Sequence, residues 1–307
     1  MHEKLFNPDY LQSLSSKYGL HPSKKYGQNF LIDPEPVEKM VEAAGINKDD
    51  TVVEIGPGFG ALTFALAEKA NRVISFEIEK KLTPYWEGRK PDNVEIEWGN
   101  VLKNQISKIK YQKYKVVANL PYQITSAALR FFLENENPPS SMTVMVQKEV
   151  AERICARPGD MSILAVSVQY YGQPELVALV PRSSFWPVPA VDSAIIHIVL
   201  NGDTPSFSPP SKGGDSHRRR DPNAVIPAQA GIQTIRDPNF DHHFFAVVKA
   251  GFSAKRKKLL TNLRGLAKNL GKEKILSAAF SELGLSDNAR AQELSLEEWK
   301  QLAKVIH

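Results

Sequence analysis

The feature that most constrains this fold is an alternation of short β-branched runs with helical stretches between residues 37 and 200. "TVVEI" leads into a glycine cluster and the helical "ALTFALAEKA". "RVISFEIE", "NVEIEW" and "YKVVANL" follow, and "SMTVMVQKE" comes after a helical stretch at 124–134. Parallel strands need long crossovers, and helices between strands supply them. The pattern therefore predicts an α/β fold with a doubly wound, mostly parallel sheet. "LVALVPRSSFWPVPAVDSAIIHIVL" adds two later strands joined by a proline-rich loop. Hydrophobic residues are 42% of the 307, enough for a sizeable core.

Four regions follow from composition. Residues 1–35 form an N-terminal extension that ends in "DPEP". A helix, "PVEKMVEAAGI", comes next, with Pro36 in its first turn and Gly45 at its end. Residues 36–201 hold the sheet. Residues 202–240 are rich in Pro, Gly and Ser without a helical or strand period, and read as a disordered insertion. "RDPN" at 220–223 recurs at 236–239, which fits an inserted segment that copied its edge; chance repetition fits too. Residues 241–307 are helical throughout and predict a small all-α C-terminal domain.

Several function classes are excluded. No run of about 18 apolar residues is present, so no membrane span is expected. The first residues carry acids and no apolar core, unlike a secretory signal. Mean hydropathy is −0.31, which fits a soluble protein. Cys155 is the sole cysteine, so neither an internal disulfide nor a thiolate metal cluster can form, and a reducing, cytoplasmic compartment is expected. His242 and His243 lack further ligands at metal-binding spacing, and no metal site is expected.

"EIGPGFGALT" (54–63) stands at a strand-to-helix turn. Gly56, Gly58 and Gly60 allow a tight turn and close approach of a ligand. Glu77 ends the next strand about 20 residues on, where a carboxylate can accept two ribose hydroxyls. A nucleoside-type ligand is expected. The spacing is G-x-G-x-G, unlike the dinucleotide G-x-G-x-x-G, and Glu54 beside it suits a cation better than a pyrophosphate. S-adenosylmethionine, with a sulfonium and an amino-acid tail, fits that electrostatic preference.

"NLPY" (119–122) ends the strand "YKVVANL". The Asn119 side-chain oxygen and the Leu120 carbonyl can both accept from an exocyclic amine, turning its lone pair toward a sulfonium methyl. Pro121 stiffens the turn and keeps the Leu120 carbonyl out of a helix ladder. Tyr122 offers a ring for a stacked base, worth ~1–3 kcal/mol.

These motifs resemble the small-subunit ribosomal RNA adenine dimethyltransferase family, which modifies two adjacent adenines near the 3′ end of that RNA. "KKYGQNFL" (24–31), "EIGPGFGALT", "NLPY", "VQKEVAERI" (146–154), "FWPVPAVDSA" (185–194) and "AGFSAKRKKLLTNL" (250–263) match family motifs in family order. The resemblance implies a Rossmann-like class I methyltransferase sheet and S-adenosylmethionine as cofactor. It implies Asn29, Leu31, Gly56, Gly58 and Glu77 at the cofactor, Asn119 at both cofactor and target base, Tyr122 at the base, and Phe185 on the base's other face. It also marks a departure: the family usually has an aspartate where this chain has Asn100, which would accept from the cofactor's adenine without a charge.

Net charge is +5 and the isoelectric point about 9.0. Between Phe244 and Lys268 lie Lys249, Lys255, Arg256, Lys257, Lys258, Arg264 and Lys268 with no acid. The block "AKRKKLL" reads as a helix start, and the cluster as an RNA-phosphate surface. Lys24 and Lys25 add charge near the active side, and Arg153 extends it. The expected partner is small-subunit ribosomal RNA, within an assembling particle, bound by a monomer. Three other readings stay open: a large-subunit rRNA adenine methyltransferase, an RNA-binding assembly factor, and, more remotely, a nicotinamide oxidoreductase.

Overall fold

The computed structural model describes residues 2–20, 29–103, 113–201 and 237–306. Lys24, Lys25 and residues 202–236 of the expected insertion lie outside the described residues.

Seven strands make the main sheet: β2 (Thr51–Ile55), β3 (Arg72–Glu77), β4 (Val94–Trp98), β5 (Tyr114–Asn119), β6 (Ser141–Gln147), β7 (Gly172–Val180) and β9 (Ser193–Leu200). Their order is β4-β3-β2-β5-β6-β9-β7. The first five are parallel, and β9 runs antiparallel to both β6 and β7. The order reverses direction at β2, whose neighbours are β3 and β5. In such sheets the crevice at the carboxyl ends of the strands flanking the reversal is where ligands bind.

The central strands β2, β3, β5 and β6 read as near-continuous apolar runs because both of their faces are covered. Val53 and Ile55 of β2 join one core cluster with Val116 and Ala118 of β5. Val52 and Val117, pointing the other way, join a second. That second cluster includes α2 (Glu35–Ala43) and α3 (Ala61–Lys69). α5 (Thr125–Leu133), α6 (Lys148–Ile154) and α7 (Ile163–Tyr171) cover the first.

The N-terminal residues are more ordered than their composition suggests. α1 (Pro8–Lys17) starts at an Asn7 cap, whose side chain accepts from the Tyr10 amide at 3.1 Å, with Pro8 at its first position. It packs with α4 (Thr83–Glu87) around Phe59, Tyr85 and Trp86. A second, two-stranded sheet pairs β1 (Phe30–Leu31) with β8 (Phe185–Trp186).

The helical domain comprises α8 (Pro238–Gly251), α9 (Leu259–Asn269), α10 (Glu273–Glu282) and α11 (Leu296–Ile306). Two sequence boundaries shift here. α8 begins at Pro238, not 241, because Asp237 caps it and proline suits its first turn. The basic block Lys255–Lys258 lies in the loop before α9, with Lys258 as the cap residue. Met161, Ala165 and Val166, around and within α7, are buried in one cluster with Phe244, Leu263 and Trp299, so the two domains share a core.

Candidate functional site

One cavity of about 220 Å³ opens at the sheet reversal. Its walls include every residue expected at cofactor or base: Asn29, Leu31, Glu54, Gly56, Gly58, Glu77, Asn100, Asn119, Leu120, Pro121, Tyr122 and Phe185. Two carboxylates and, among the described residues, no lysine or arginine line it. The local potential therefore favours a cation over a phosphate.

The glycine loop forms the first wall. Gly56, Gly58 and Gly60 have φ of 73°, 54° and 93°, values that only glycine adopts at little cost. Glu77 closes the loop from β3. Its carboxylate accepts from the Gly58 amide at 3.1 Å and from the Glu79 amide at 2.8 Å. Burial pushes its pKa up, against these backbone bonds, which hold it down. The Ile78 amide also acts on this carboxylate, which still keeps acceptor capacity for a ligand hydroxyl.

Glu54 lines the same cavity, but its carboxylate turns into the sheet and accepts from Ser75 Oγ at 2.6 Å. Burial lifts its pKa from 4.5 to about 7, with the Ser75 bond acting the other way. The full charge that its sequence position suggests is thus only partly present near neutrality. Folding raises this pKa, so the folded chain keeps a proton that the unfolded chain releases between 4.5 and about 7. Glu54 therefore lowers stability progressively as pH rises through that window, by about 3 kcal/mol. Glu54→Gln keeps an acceptor for Ser75 and loses the titration. Its stability advantage over wild type is expected to grow by about that amount between pH 4.5 and 8, read by urea unfolding. An advantage independent of pH would contradict the buried-carboxylate account.

Asn100 follows β4, past Gly99. Its Oδ1 already accepts from the Leu102 amide at 2.9 Å. One neutral lone pair of that oxygen remains for a ligand amine, beside an amide nitrogen that only donates. A carboxylate here could serve Leu102 with one oxygen and a ligand amine with the other. Asn100→Asp is therefore expected to tighten S-adenosylmethionine binding about tenfold, because a charged acceptor with a free oxygen replaces a neutral one that is already shared. Calorimetric titration of both proteins checks it; equal or weaker binding would refute it.

The opposite wall comes from β5 and the turn after it. Asn119, the last residue of β5, pairs with Met145 of β6, and the Leu120 amide donates to the Met145 carbonyl at 3.1 Å. Among the described residues, neither the Asn119 side chain nor the Leu120 carbonyl has a hydrogen-bond partner. Both are presented to the cavity as open acceptors. Tyr122 is half-buried, and its hydroxyl bonds Ser193 Oγ at 2.8 Å. That bond leaves the ring as its free surface.

Phe185 reaches the cavity through β8, which pairs with β1. It is 1% exposed and packs with Leu31, Val37 and Met40. Trp186, the alternative packing residue, stacks on Phe30 at 6.3 Å. Ser184 Oγ donates to Asp33 Oδ2 at 2.9 Å and ties the N-terminal residues to this wall.

Several lining residues escaped the sequence reading, Val101, Ile78, Leu5 and Leu11 among them. Ile78, directly after Glu77, is 56% exposed despite being apolar. An isoleucine left open at a strand end beside a carboxylate was the available signal. Leu5 and Leu11 line the cavity from the N-terminal segment; no motif announces them.

The cationic residues lie elsewhere. Arg153, Lys255, Arg256, Lys257, Lys258 and Arg264 are all exposed, and none lines the cavity. None makes an ion pair among the described residues.

Comparison with known proteins shows the family. The family model "Ribosomal RNA adenine dimethylase" matches residues 20–207. "Ribosomal RNA small subunit methyltransferase A" of Dehalococcoides mccartyi (strain CBDB1) is 40% identical over 292 residues, 93% of this chain and 88% of that protein. The protein of the same name from Geobacillus thermodenitrificans (strain NG80-2) is 35% identical over 317 aligned residues, 100% of this chain and 98% of that protein. Among solved structures, a dimethyladenosine transferase from Plasmodium falciparum aligns with a TM-score of 0.68 at 24% identity, covering 89% of this chain and 95% of that one. The 23S rRNA methyltransferase ErmE aligns at 0.65 and 25% identity, covering 91% and 99%. With a family model spanning most of the sheet domain and relatives this similar along nearly their whole length, the chain belongs to the ribosomal RNA adenine dimethylase family.

Proposed function

We propose that this protein transfers methyl groups from S-adenosylmethionine to the N6 atoms of two adjacent adenines near the 3′ end of small-subunit ribosomal RNA. The observation that carries this reading is the single cavity joining the glycine loop and Glu77 to two open acceptors at Asn119 and Leu120. The names of the relatives support the choice of the small subunit.

When bound, S-adenosylmethionine supplies a methyl group on a cationic sulfur. The residues present fit it. Glu77 takes the ribose hydroxyls, Ile78 and Val101 flank the adenine, and the carboxylate-lined wall, with no lysine or arginine among the described residues, suits the positive charge. The same wall disfavours a pyrophosphate and with it a nicotinamide enzyme.

At the acceptor side, Asn119 Oδ1 and the Leu120 carbonyl accept the two N–H bonds of the adenine amino group. The nitrogen lone pair, delocalised in the free base, is thereby turned toward the donor. Tyr122 stacks on the base, and Phe185 closes the far side. A base must leave its helix to enter such a pocket. No strong general base is required, because the amine becomes acidic as it is alkylated. Positioning and fixed dipoles carry the catalysis.

The Lys255–Lys258 loop and Arg264 grip RNA phosphates, with exposed Arg153 as a further contact; Lys24 and Lys25, outside the described residues, add to the positive charge. Neutralising Lys255, Arg256, Lys257 and Lys258 together is expected to flatten the salt dependence of RNA binding by about three units of log–log slope. Filter binding at several salt concentrations checks this, and an unchanged slope would remove the loop from the interface. The protein acts as a monomer on an assembling small subunit in the cytoplasm. Incubating purified small- and large-subunit RNA and assembling particles with labelled donor tests the substrate. Label is expected in small-subunit material alone; label in large-subunit RNA would overturn the assignment.

A further inference from the structure

Behind the glycine loop, two neighbouring aromatics of α4 aim their polar atoms at consecutive loop carbonyls. The Tyr85 hydroxyl donates to the Phe59 carbonyl at 2.7 Å, and Trp86 Nε1 donates to the Gly58 carbonyl at 3.1 Å. We infer that Tyr85 and Trp86 are positioning residues that hold the glycine loop in its donor-binding shape. The inference rests on the reading of the cavity as a methyl-donor site.

Neither side chain lines the cavity, and both are 2% exposed, so they act only through the loop. The Gly58 residue is held at both ends. Its amide donates to Glu77 Oε2 at 3.1 Å, and its carbonyl accepts from Trp86. Rotation of the Gly58–Phe59 peptide would break the indole bond, and movement of Gly58 as a whole would also disturb the amide that holds the carboxylate expected to bind the ribose. The restraint is needed because glycine backbones have many alternative conformations to visit. Buried carbonyls without donors would also leave the loop conformation costly.

Tyr85 is itself clamped. The Arg89 guanidinium sits 4.8 Å from its ring centroid, and the Tyr18 ring meets it edge-on at 5.6 Å. Burial pushes the Tyr85 hydroxyl pKa up, so the group remains a donor at any working pH. Packing alone would be served by phenylalanine at both positions. Two donors matched to two successive carbonyls of the same loop are what distinguish positioning from filling.

Tyr85→Phe removes one oxygen and keeps the ring; Trp86→Phe removes the indole N–H and keeps an aromatic ring. For each full-length variant, donor binding is measured by calorimetry and steady-state rates are measured with small-subunit RNA. The donor Kd and donor KM are expected to rise about five- to tenfold. At saturating donor, kcat and the RNA KM should stay within about twofold of wild type. A merely structural role would lower the active fraction, cutting kcat and leaving the donor KM unchanged. That pattern, or unchanged donor affinity in both variants, would overturn the inference while wild-type binding keeps the donor site intact. Wild-type protein that binds no donor would overturn the reading of the cavity and this inference with it.

Discussion

Replacing Asn119 by alanine is expected to lower methyl transfer about 10²–10³-fold while donor affinity shifts only a few-fold. The amine of adenine is a poor nucleophile because its lone pair is shared with the ring. Two acceptors in fixed positions at the end of β5 would localise that pair and aim it. Removing one of two preorganised dipoles costs about 3–4 kcal/mol of transition-state stabilisation in comparable sites. The fold should not suffer. The Asn119 side chain is half-buried and has no hydrogen-bond partner among the described residues, so alanine leaves nothing orphaned. Turnover under saturating donor and RNA reads the loss. A rate within threefold of wild type would remove the steering role, and a matching loss of donor affinity would move Asn119 to the cofactor side.

The second large effect is expected from Gly60→Ala, which should destabilise the sheet domain by about 3 kcal/mol. Gly60 has φ of 93°, where an L side chain is strained. An added Cβ would lie 2.6 Å from Phe64 Cε2 and 2.8 Å from Trp86 Cη2. Both rings are buried among Phe59, Leu82 and Tyr85 and cannot move aside freely. Strain of about 1 kcal/mol and overpacking of about 1–3 kcal/mol then add. Chemical unfolding measures the change, and donor binding should weaken with it, because the clash displaces the residue that holds the Gly58 carbonyl. Gly56→Ala is the contrast. Nothing lies within 4 Å of its added Cβ, so strain acts there without a clash, and the stability loss should be smaller. Equal losses at both positions would mean that backbone strain, not the aromatic wall, governs the loop.

The sheet was legible because its central strands are apolar on both faces and its helices intervene, a pattern that leaves few alternatives. The site was legible for a related reason. Glycines at positive φ, an acid at a strand end and an amide before a proline are local requirements, written in consecutive residues. What stayed hidden depends on distant contacts. Leu5 and Leu11 become cavity walls only because α1 folds back onto Phe59 and Trp86, although Asn7-Pro8-Asp9 did carry a helix-start signal that the mixed composition of 1–35 obscured. The partial loss of charge at Glu54 needs a neighbouring strand to supply Ser75. The sharing of the Asn100 oxygen with the backbone needs a turn to bring Leu102 round. Phe185 reads as a free stacking ring, yet the β1–β8 pairing sets it in the core with only its cavity side available. The start of α8 was missed by three residues because the repeat "RDPN" drew the boundary past its own capping aspartate.

The central claim is lone-pair steering of an adenine amino nitrogen by Asn119 and Leu120 against a donor held by the glycine loop and Glu77. Nucleoside mass spectrometry of small-subunit RNA, digested after incubation with protein and S-adenosylmethionine, tests it most directly. The account predicts N6,N6-dimethyladenosine from two adjacent positions near the 3′ end, absent with the Asn119→Ala protein. Methyl groups on carbon, ribose or another base, or dimethyladenosine formed equally well without Asn119, would contradict it.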